Sequence, residues 1–352
     1  MTAPVSPGPD GLSVRIGALA PLTRPGWAEA GHDLLAGLEL AVREVNESGG
    51  AGGRPLELLV RDTAADPQRA EAAVAELAGL GVAALAGEYH SVVARHVAAR
   101  ADALGLPYLC SSAVLDALTD RPTDWVARIA PAQSRGWRLY AEYLLGAGHR
   151  RVAVAVQPSV YWAAGIGILR EHLDEVVELE VSEGLCDALV ASGATALLVL
   201  AGHPEPAVPV VRAVRADERL AGLLIGAPAG QPELPEWAEL LGETGAAVPF
   251  LRYLPEHFGP LGSRVEAALR ERLGRAPSFV AFEGYDSVLV LAELLRSGLT
   301  WADVAVAGTR GEIRFDRVPG IGVWQWAWAP IQVADRDPVD SGRFRVLAQS
   351  VR

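Results

Sequence analysis

Two short segments carry side chains suited to holding a small anion or amide. Tyr89-His90-Ser91 follows an apolar run ending at Ala86 and opens a stretch of helical spacing. Ser111-Ser112-Ala113 follows the apolar run 107–109 in the same way. Hydroxyls and free backbone N–H groups at a strand-to-helix turn, together with the partial positive charge of a helix N-terminus, suit a carboxylate or an amide oxygen. Ser91 fits a plain N-cap equally well, and Ser111-Ser112 fits a polar loop. A third group, Tyr161-Trp162, lies after the apolar run 151–156. Adjacent rings of this kind can stack on a ligand, or one of them can turn into a core. His203, after the run 196–200, is a further candidate, with an ordinary surface-loop histidine as the alternative.

Several other chemistries lack their residues. The sequence contains no lysine, so Schiff-base catalysis and a lysine-ended phosphate loop are excluded. It has neither a Gly-x-Ser-x-Gly elbow nor a His-Glu-x-x-His pair. Gly165-Ile-Gly167 lacks the third glycine of a dinucleotide fingerprint and falls within a predicted helix. The seven histidines show no metal-ligand spacing, and Cys110 and Cys186 are too few and too far apart for a disulfide framework. These observations predict a protein that is not an enzyme and carries no cofactor or metal. A formal net charge of -12 without a basic run argues against nucleic acid and against an anionic membrane surface. Met1 to Asp10 has no basic or apolar region of the signal-peptide type. As written, the sequence predicts a cytoplasmic protein, or an extracytoplasmic one if the native start lies elsewhere.

The elements that must position these residues alternate. Apolar runs at 14–20, 56–60, 82–86, 107–109, 126–129, 151–156, 196–200 and 222–225 read as strands. Helical spacing over 29–48, 67–80, 92–104, 134–145, 161–173 and 205–216 separates them. Asp66-Pro67 has the form of an N-cap followed by proline at the first helical position. Strand–helix alternation with near-continuous apolar strands predicts parallel sheets covered on both faces. Later, two helices over 256–273 and 279–297 come without an intervening strand, followed by short strands at 312–315, 323–328 and 331–334. The period-two run Trp324-Gln-Trp-Ala-Trp328 predicts a strand with one aromatic face in a core. A chain of 352 residues predicts two domains.

Taken together, several segments resemble the type I periplasmic binding proteins of the leucine/isoleucine/valine-binding family. They are Ile16-Gly-Ala-Leu-Ala-Pro-Leu-Thr23, Gly37-Leu-Glu-Leu-Ala-Val-Arg-Glu-Val-Asn46 with Gly49-Gly50, Val60-Arg-Asp-Thr63 with Asp66-Pro67, Pro107-Tyr-Leu-Cys-Ser-Ser-Ala113 with Leu118-Thr119, and Gly284-Tyr-Asp286. Their order and spacing carry the resemblance. The loop Ala86-Gly-Glu-Tyr-His-Ser91 is also similar to that of cytosolic amide sensors in the same superfamily.

The resemblance implies two doubly wound α/β lobes joined by three crossings near Asp120, Phe250 and Asp316. One lobe would hold residues 12–120 and 251–317, the other 121–250 and 318–347, with a ligand cleft between them. Ser91 matches the family serine that binds a ligand carboxylate. Ser111, Ser112 and Ala113 match the segment that supplies backbone groups to the same carboxylate. Val114 takes a position usually held by threonine, and Ser112 is the substitute hydroxyl. Tyr161 matches a tyrosine that reaches into the cleft, and Trp162 replaces the usual glycine. His203 stands where amino-acid binders often carry an aromatic. Phe282 is placed at the side-chain end of the cleft and Trp27 at its mouth. Pro228 stands where those binders carry the glutamate that pairs with the ligand ammonium, which disfavours a standard α-amino acid unless Glu88 or Glu283 substitutes. The implied function is solute capture by hinge closure for an ABC transporter permease. The alternative is a cytosolic sensor reporting to a regulatory partner.

Overall fold

The computed structural model describes residues 13–298, 300–340 and 342–350. The opening stretch assessed for a signal peptide lies outside the described residues. Among the described residues no helix is long and apolar enough to cross a membrane.

The chain forms two compact units. The first opens with β1 (Val14–Ala20), α1 (Ala28–Glu47), β2 (Leu56–Asp62), α2 (Pro67–Gly79), β3 (Ala84–Gly87), α3 (Ser91–Leu104), β4 (Tyr108–Cys110) and β5 (Val126–Arg128). The second contains α4 (Gln133–Gly146), β6 (Arg151–Val156), α5 (Val160–His172), β7 (Glu175–Glu180), α6 (Leu185–Ser192), β8 (Ala196–Leu200), α7 (Ala207–Ala216), β9 (Leu224–Gly226), α8 (Pro235–Leu241) and β10 (Phe250–Arg252). The chain then returns to the first unit for α9 (Pro260–Leu273), α10 (Phe279–Ser297), β11 (Ala305–Gly308), β12 (Gly311–Arg314), β13 (Asp316–Arg317) and β14 (Trp324–Gln325). It ends in the second with β15 (Gln332–Arg336) and β16 (Phe344–Gln349).

The first unit is built on one sheet of order β13-β14-β5-β4-β3-β1-β2, parallel from β14 to β2. The central strands β1, β3 and β4 are almost wholly buried, as parallel strands covered on both faces must be. β2 differs from expectation: only Leu56 is fully buried, because β2 is the sheet edge. Asp66 caps α2 by accepting from Arg69 N–H at 2.8 Å, with proline next, as its sequence predicts. The second unit has a parallel sheet of order β7-β6-β8-β9 and an antiparallel sheet of order β10-β15-β16.

The units divide after Ala132, Glu256 and Ala329, each later in the chain than the crossings expected near Asp120, Phe250 and Asp316. Strand pairing explains the difference at two of them: Tyr108 pairs with Val126 and Trp324 with Ala127, which keeps β5 and β14 in the first sheet. The aromatic run at 324–328 is also corrected. Its strand stops at Gln325, whose side-chain amide donates to the carbonyls of Ala130 at 2.7 Å and Trp326 at 3.0 Å. Beyond that turn Trp326 is buried while Trp328 is 56% exposed, so the three rings share no face.

Candidate functional site

In an open parallel sheet, loops at the carboxyl ends of strands separate where the strand order reverses, and that crevice admits ligands. The first sheet reverses between β1 and β3, because the chain runs from β1 outward to β2 and then returns to the other side of β1. The two loops flanking this point carry Trp27 and Tyr89-His90. Their rings form a cluster, with centroids 5.5 Å apart for Trp27–Tyr89, 5.9 Å for Trp27–His90 and 5.4 Å for Tyr89–His90. All three are partly exposed.

Two acids, one partly and one fully buried, hold both loops. Asp62, at the end of β2, accepts from Leu22 N–H (2.8 Å), Thr23 Oγ1 (2.6 Å) and Ala64 N–H (2.9 Å). Burial pushes its pKa up, but these bonds and Arg69 outweigh it, and the carboxyl stays below its usual range. Glu88 is fully buried. Its Oε1 accepts from the N–H groups of Tyr89 (2.8 Å) and His90 (2.9 Å), and its Oε2 from Thr63 Oγ1 (2.7 Å). His90 Nε2 accepts from Trp27 N–H at 3.4 Å, which places the ring proton on Nδ1, 3.4 Å from Glu88 Oε1. One carboxylate therefore fixes the loop and, through His90, the neighbouring loop. Gly87 is required beneath it: its φ is +121°, and a Cβ there would meet the carbonyl oxygen of Leu19. We expect Glu88→Ala to lose about 2 kcal/mol of stability in a denaturant titration, since it orphans three buried donors. A loss below about 0.5 kcal/mol would show that water replaces the carboxylate.

Ser91 is not the N-cap. His90 holds that position, Ser91 is the first helical residue, and its Oγ accepts from Leu115 N–H at 3.3 Å. That bond ties α3 to the loop after β4, where Ser111, Ser112 and Ala113 are all buried. Ser111 N–H donates to Gly87 C=O at 2.9 Å, and the Ser112 hydroxyl donates to Ser111 Oγ at 3.2 Å. The β3 and β4 loops thus form one connected platform. Behind it lies a cluster that sequence reasoning only touched. Arg310 donates to Asp286 (Nε to Oδ2, 2.9 Å) and to Glu283 (Nη1 to Oε1, 3.2 Å), with all three side chains buried. Arg128 donates to Gln325 Oε1 at 2.7 Å and to Leu115 C=O at 2.6 Å. Burial pushes Glu283 up to about 7, against the pull of Arg310. Burial likewise pushes the Cys110 thiol up to about 11, away from a reactive thiolate. Phe282 is buried and stacks on Phe258, with centroids 4.7 Å apart.

The second unit repeats the logic. Its parallel sheet reverses between β6 and β8; Tyr161-Trp162 open the helix after β6, and His203 lies in the loop after β8. Gly202 N–H donates to Gln157 Oε1 at 3.0 Å, joining the two loops. Ser159 caps α5 by accepting from Trp162 N–H at 3.1 Å. Tyr161 and Trp162 lie 4.7 Å apart and both pack on Trp137, at 6.0 and 6.3 Å. Trp162 is buried and Tyr161 is partly exposed. Trp137 explains Gly165 of the incomplete glycine motif, since a Cβ there would fall on its ring. His203 is not a surface histidine: its side chain is buried, 6.0 Å from the Trp237 ring and 3.6 Å from Glu236. Pro228 is buried beyond β9, and its carbonyl accepts from Leu251 N–H. Among the described residues no group of three or more His, Cys, Asp or Glu side chains is placed to hold a metal ion.

The sequence profile of the periplasmic binding protein family matches residues 13–327. The chain belongs to that family. Within it, a Leu/Ile/Val-binding protein homolog 7 from Brucella melitensis is 34% identical over 124 residues, 35% of this chain and 31% of the relative. A homolog 8 from Brucella abortus is 37% identical over 121 residues, 34% of this chain and 29% of the relative. These matches span about a third of each relative's length. Among solved structures, the leucine-binding protein LivK of Thermotoga maritima superposes with a TM-score of 0.80 at 20% identity, covering 96% of this chain and 98% of that one. A solute-binding protein of an ABC transporter from R. palustris, in complex with benzoate, gives 0.78 at 16%, covering 96% of each chain. The two-lobed type I periplasmic-binding-protein fold is therefore shared along nearly the whole chain.

Proposed function

We propose that this periplasmic binding protein is the solute-capturing component of an ABC-type uptake system, and that its cargo is a small organic carboxylate without an α-ammonium group. Closure of the two lobes on the ligand would present it to the permease. In this reading Ser91 and the Ser111-Ser112-Ala113 loop receive the carboxylate. Trp27 and Tyr89 offer faces to a planar or apolar remainder.

One observation carries the cargo assignment: Pro228 brings no charge, and neither Glu88 nor Glu283 offers a firm counter-charge in its place. Pro228 brings no charge to its position. Glu88 is saturated by Thr63, Tyr89 and His90. Glu283 is a weak counter-charge: its Oε1 already pairs with Arg310 and burial pushes its pKa up to about 7, although its Oε2 has no hydrogen bond. Burying an unpaired ammonium costs several kcal/mol, more than the roughly 1.5–3 kcal/mol a charge-assisted hydrogen bond returns. The benzoate bound by the R. palustris structure is a ligand of the proposed kind on the same fold.

Thermal denaturation with leucine, its keto acid 4-methyl-2-oxopentanoate, benzoate and isobutyramide tests this. The carboxylates should stabilise the protein, by about 2.7 kcal/mol at a hundred times Kd, and leucine should not. Stabilisation by leucine but not by its keto acid would overturn the assignment.

A further inference from the structure

We propose that Glu283 makes carboxylate binding at the Ser111-Ser112-Ala113 loop a proton-linked event, the side chain taking up a proton as the anion arrives. The proposal deepens the carboxylate reading and rests on that loop being the ligand site.

The geometry is that of a buried ion cluster with one open valence. Arg310 faces two carboxyls, Glu283 and Asp286, and all three residues are nearly or completely inaccessible. Asp286 is saturated: its Oδ1 accepts from Thr309 N–H (2.6 Å) and Thr309 Oγ1 (2.9 Å), and its Oδ2 from Arg310. Glu283 is not saturated: its Oε1 accepts from Arg310, and its Oε2 has no partner. The hydroxyl beside it is that of Ser112, which favours the ionised form but donates its hydrogen bond to Ser111. Glu283 is thus the one member of the cluster able to accept a proton without breaking a bond, and it lies directly behind the loop that would receive the anion.

The surrounding charges favour this titration. Asp286, on the same helix, raises the Glu283 pKa, while Arg310 from the β11–β12 turn lowers it. From β4, Cys110 contributes a buried thiol whose pKa lies near 11. Arg128 on β5 is bonded to Gln325 and Leu115, and Glu88 beyond β3 is bonded to Thr63, Tyr89 and His90. On the α1 and α9 side the charges close on themselves, as Glu44 with Arg264 and Asp33 with Arg275. Burial already pushes Glu283 up to about 7, and a second negative charge nearby raises its pKa further. Protonation then leaves the cluster neutral, without a net negative charge behind the bound anion. The sign follows: an anion that raises the Glu283 pKa binds more tightly as pH falls.

Isothermal titration calorimetry of the full chain with benzoate, which stays anionic from pH 6 to 8, tests the link. For a one-unit rise in the Glu283 pKa, Kd should be about fivefold lower at pH 6 than at pH 8. Titrations at pH 7 in buffers of different ionisation enthalpy should show uptake of a fraction of a proton per benzoate. Glu283→Gln should flatten the pH profile while retaining binding. The wild-type proton count stands as the test if that variant does not fold. Benzoate and 4-methyl-2-oxopentanoate binding with no proton uptake and equal Kd at both pH values overturns the proposal and leaves the carboxylate site standing. Failure of both carboxylates to bind at either pH overturns the site reading together with the proposal. Proton uptake that persists in Glu283→Gln overturns the assignment to this residue.

Discussion

Arg310→Ala is expected to destabilise the first unit by about 3–5 kcal/mol at pH 8, the largest effect of any single charge removal in the protein. The guanidinium lies between Glu283 and Asp286, with its Cζ 5.2 Å from the centroid of the Trp326 ring, and it is almost inaccessible to water. Removing it leaves two carboxyls facing one another in an apolar setting. Neither can be rehydrated without opening the packing of α10 against β3 and β11. The surface pairs offer a contrast. Arg150–Asp174 and Arg151–Glu175 are exposed on both sides, and alanine there should change stability by less than about 1 kcal/mol.

The loss should depend on pH with a definite sign. In the variant Glu283 loses the cation that lowers its pKa, so burial holds its folded-state value above that of the unfolded chain. The folded state then holds more protons than the unfolded state, and stability falls as pH rises through that window. Arg310→Ala should therefore be closest to wild type near pH 5 and furthest from it near pH 8, as read by urea midpoints. Adding Glu283→Gln should recover part of the loss at pH 8 and little at pH 5. A deficit that is the same at both pH values would mean that lost packing on Trp326, rather than orphaned charge, dominates.

Most of what positions the candidate site is legible in the sequence, because it rests on short-range rules. The apolar runs place β1, β6 and β8 to the residue, and the Asp66-Pro67 cap places α2. Elements whose pattern is dominated by solvent are harder to see. β7, Glu-Val-Val-Glu-Leu-Glu, is an edge strand with three exposed glutamates, and β16 is an edge strand with four largely exposed positions. The site residues divide in the same way. Trp27, Tyr89, His90, Tyr161 and His203 lie where strand-end loops flank a reversal of strand order. That placement follows from chain direction alone. What the sequence could not supply is the long-range bonding. Nothing local shows that Glu88 closes on Thr63, that Ser91 binds Leu115 rather than its own helix, or that Arg310 in the β11–β12 turn meets Glu283 and Asp286 on α10. The Trp324–Trp328 run fails for the same reason: its period is that of a strand, but Gln325 is held by a distant loop that ends the strand early.

Gly37→Val or Gly284→Val should be nearly as damaging as Arg310→Ala, for a reason unconnected with charge. Both glycines belong to segments that carry the family resemblance, and the structure shows what they do. A Cβ at Gly37 would fall on the carbonyl oxygen of Ala281, and one at Gly284 on the carbonyl oxygen of Leu34. Helices α1 and α10 therefore touch backbone to backbone, and each glycine sits opposite the other helix's main chain. A flexible side chain could yield, but two helical backbones move only by separating along the whole contact. That separation would also strip Leu34, Leu38 and Tyr285 of their packing. The expected loss is about 3 kcal/mol or more for valine, at the upper end of over-packing effects, with alanine at either position already harmful. Gly167→Ala in α5 is the internal control. A Cβ there meets nothing within 4 Å, so it should stabilise by about 0.5–1 kcal/mol through helix propensity alone. Opposite signs for chemically identical Gly→Ala changes at Gly37 and Gly167, measured by thermal or urea denaturation, would establish the close contact. A neutral Gly37→Ala would show that α1 and α10 stand further apart than the structure places them. In that case α10, which carries Phe282, Glu283 and Asp286, would have more freedom beside the ligand loops than the bonding described above allows.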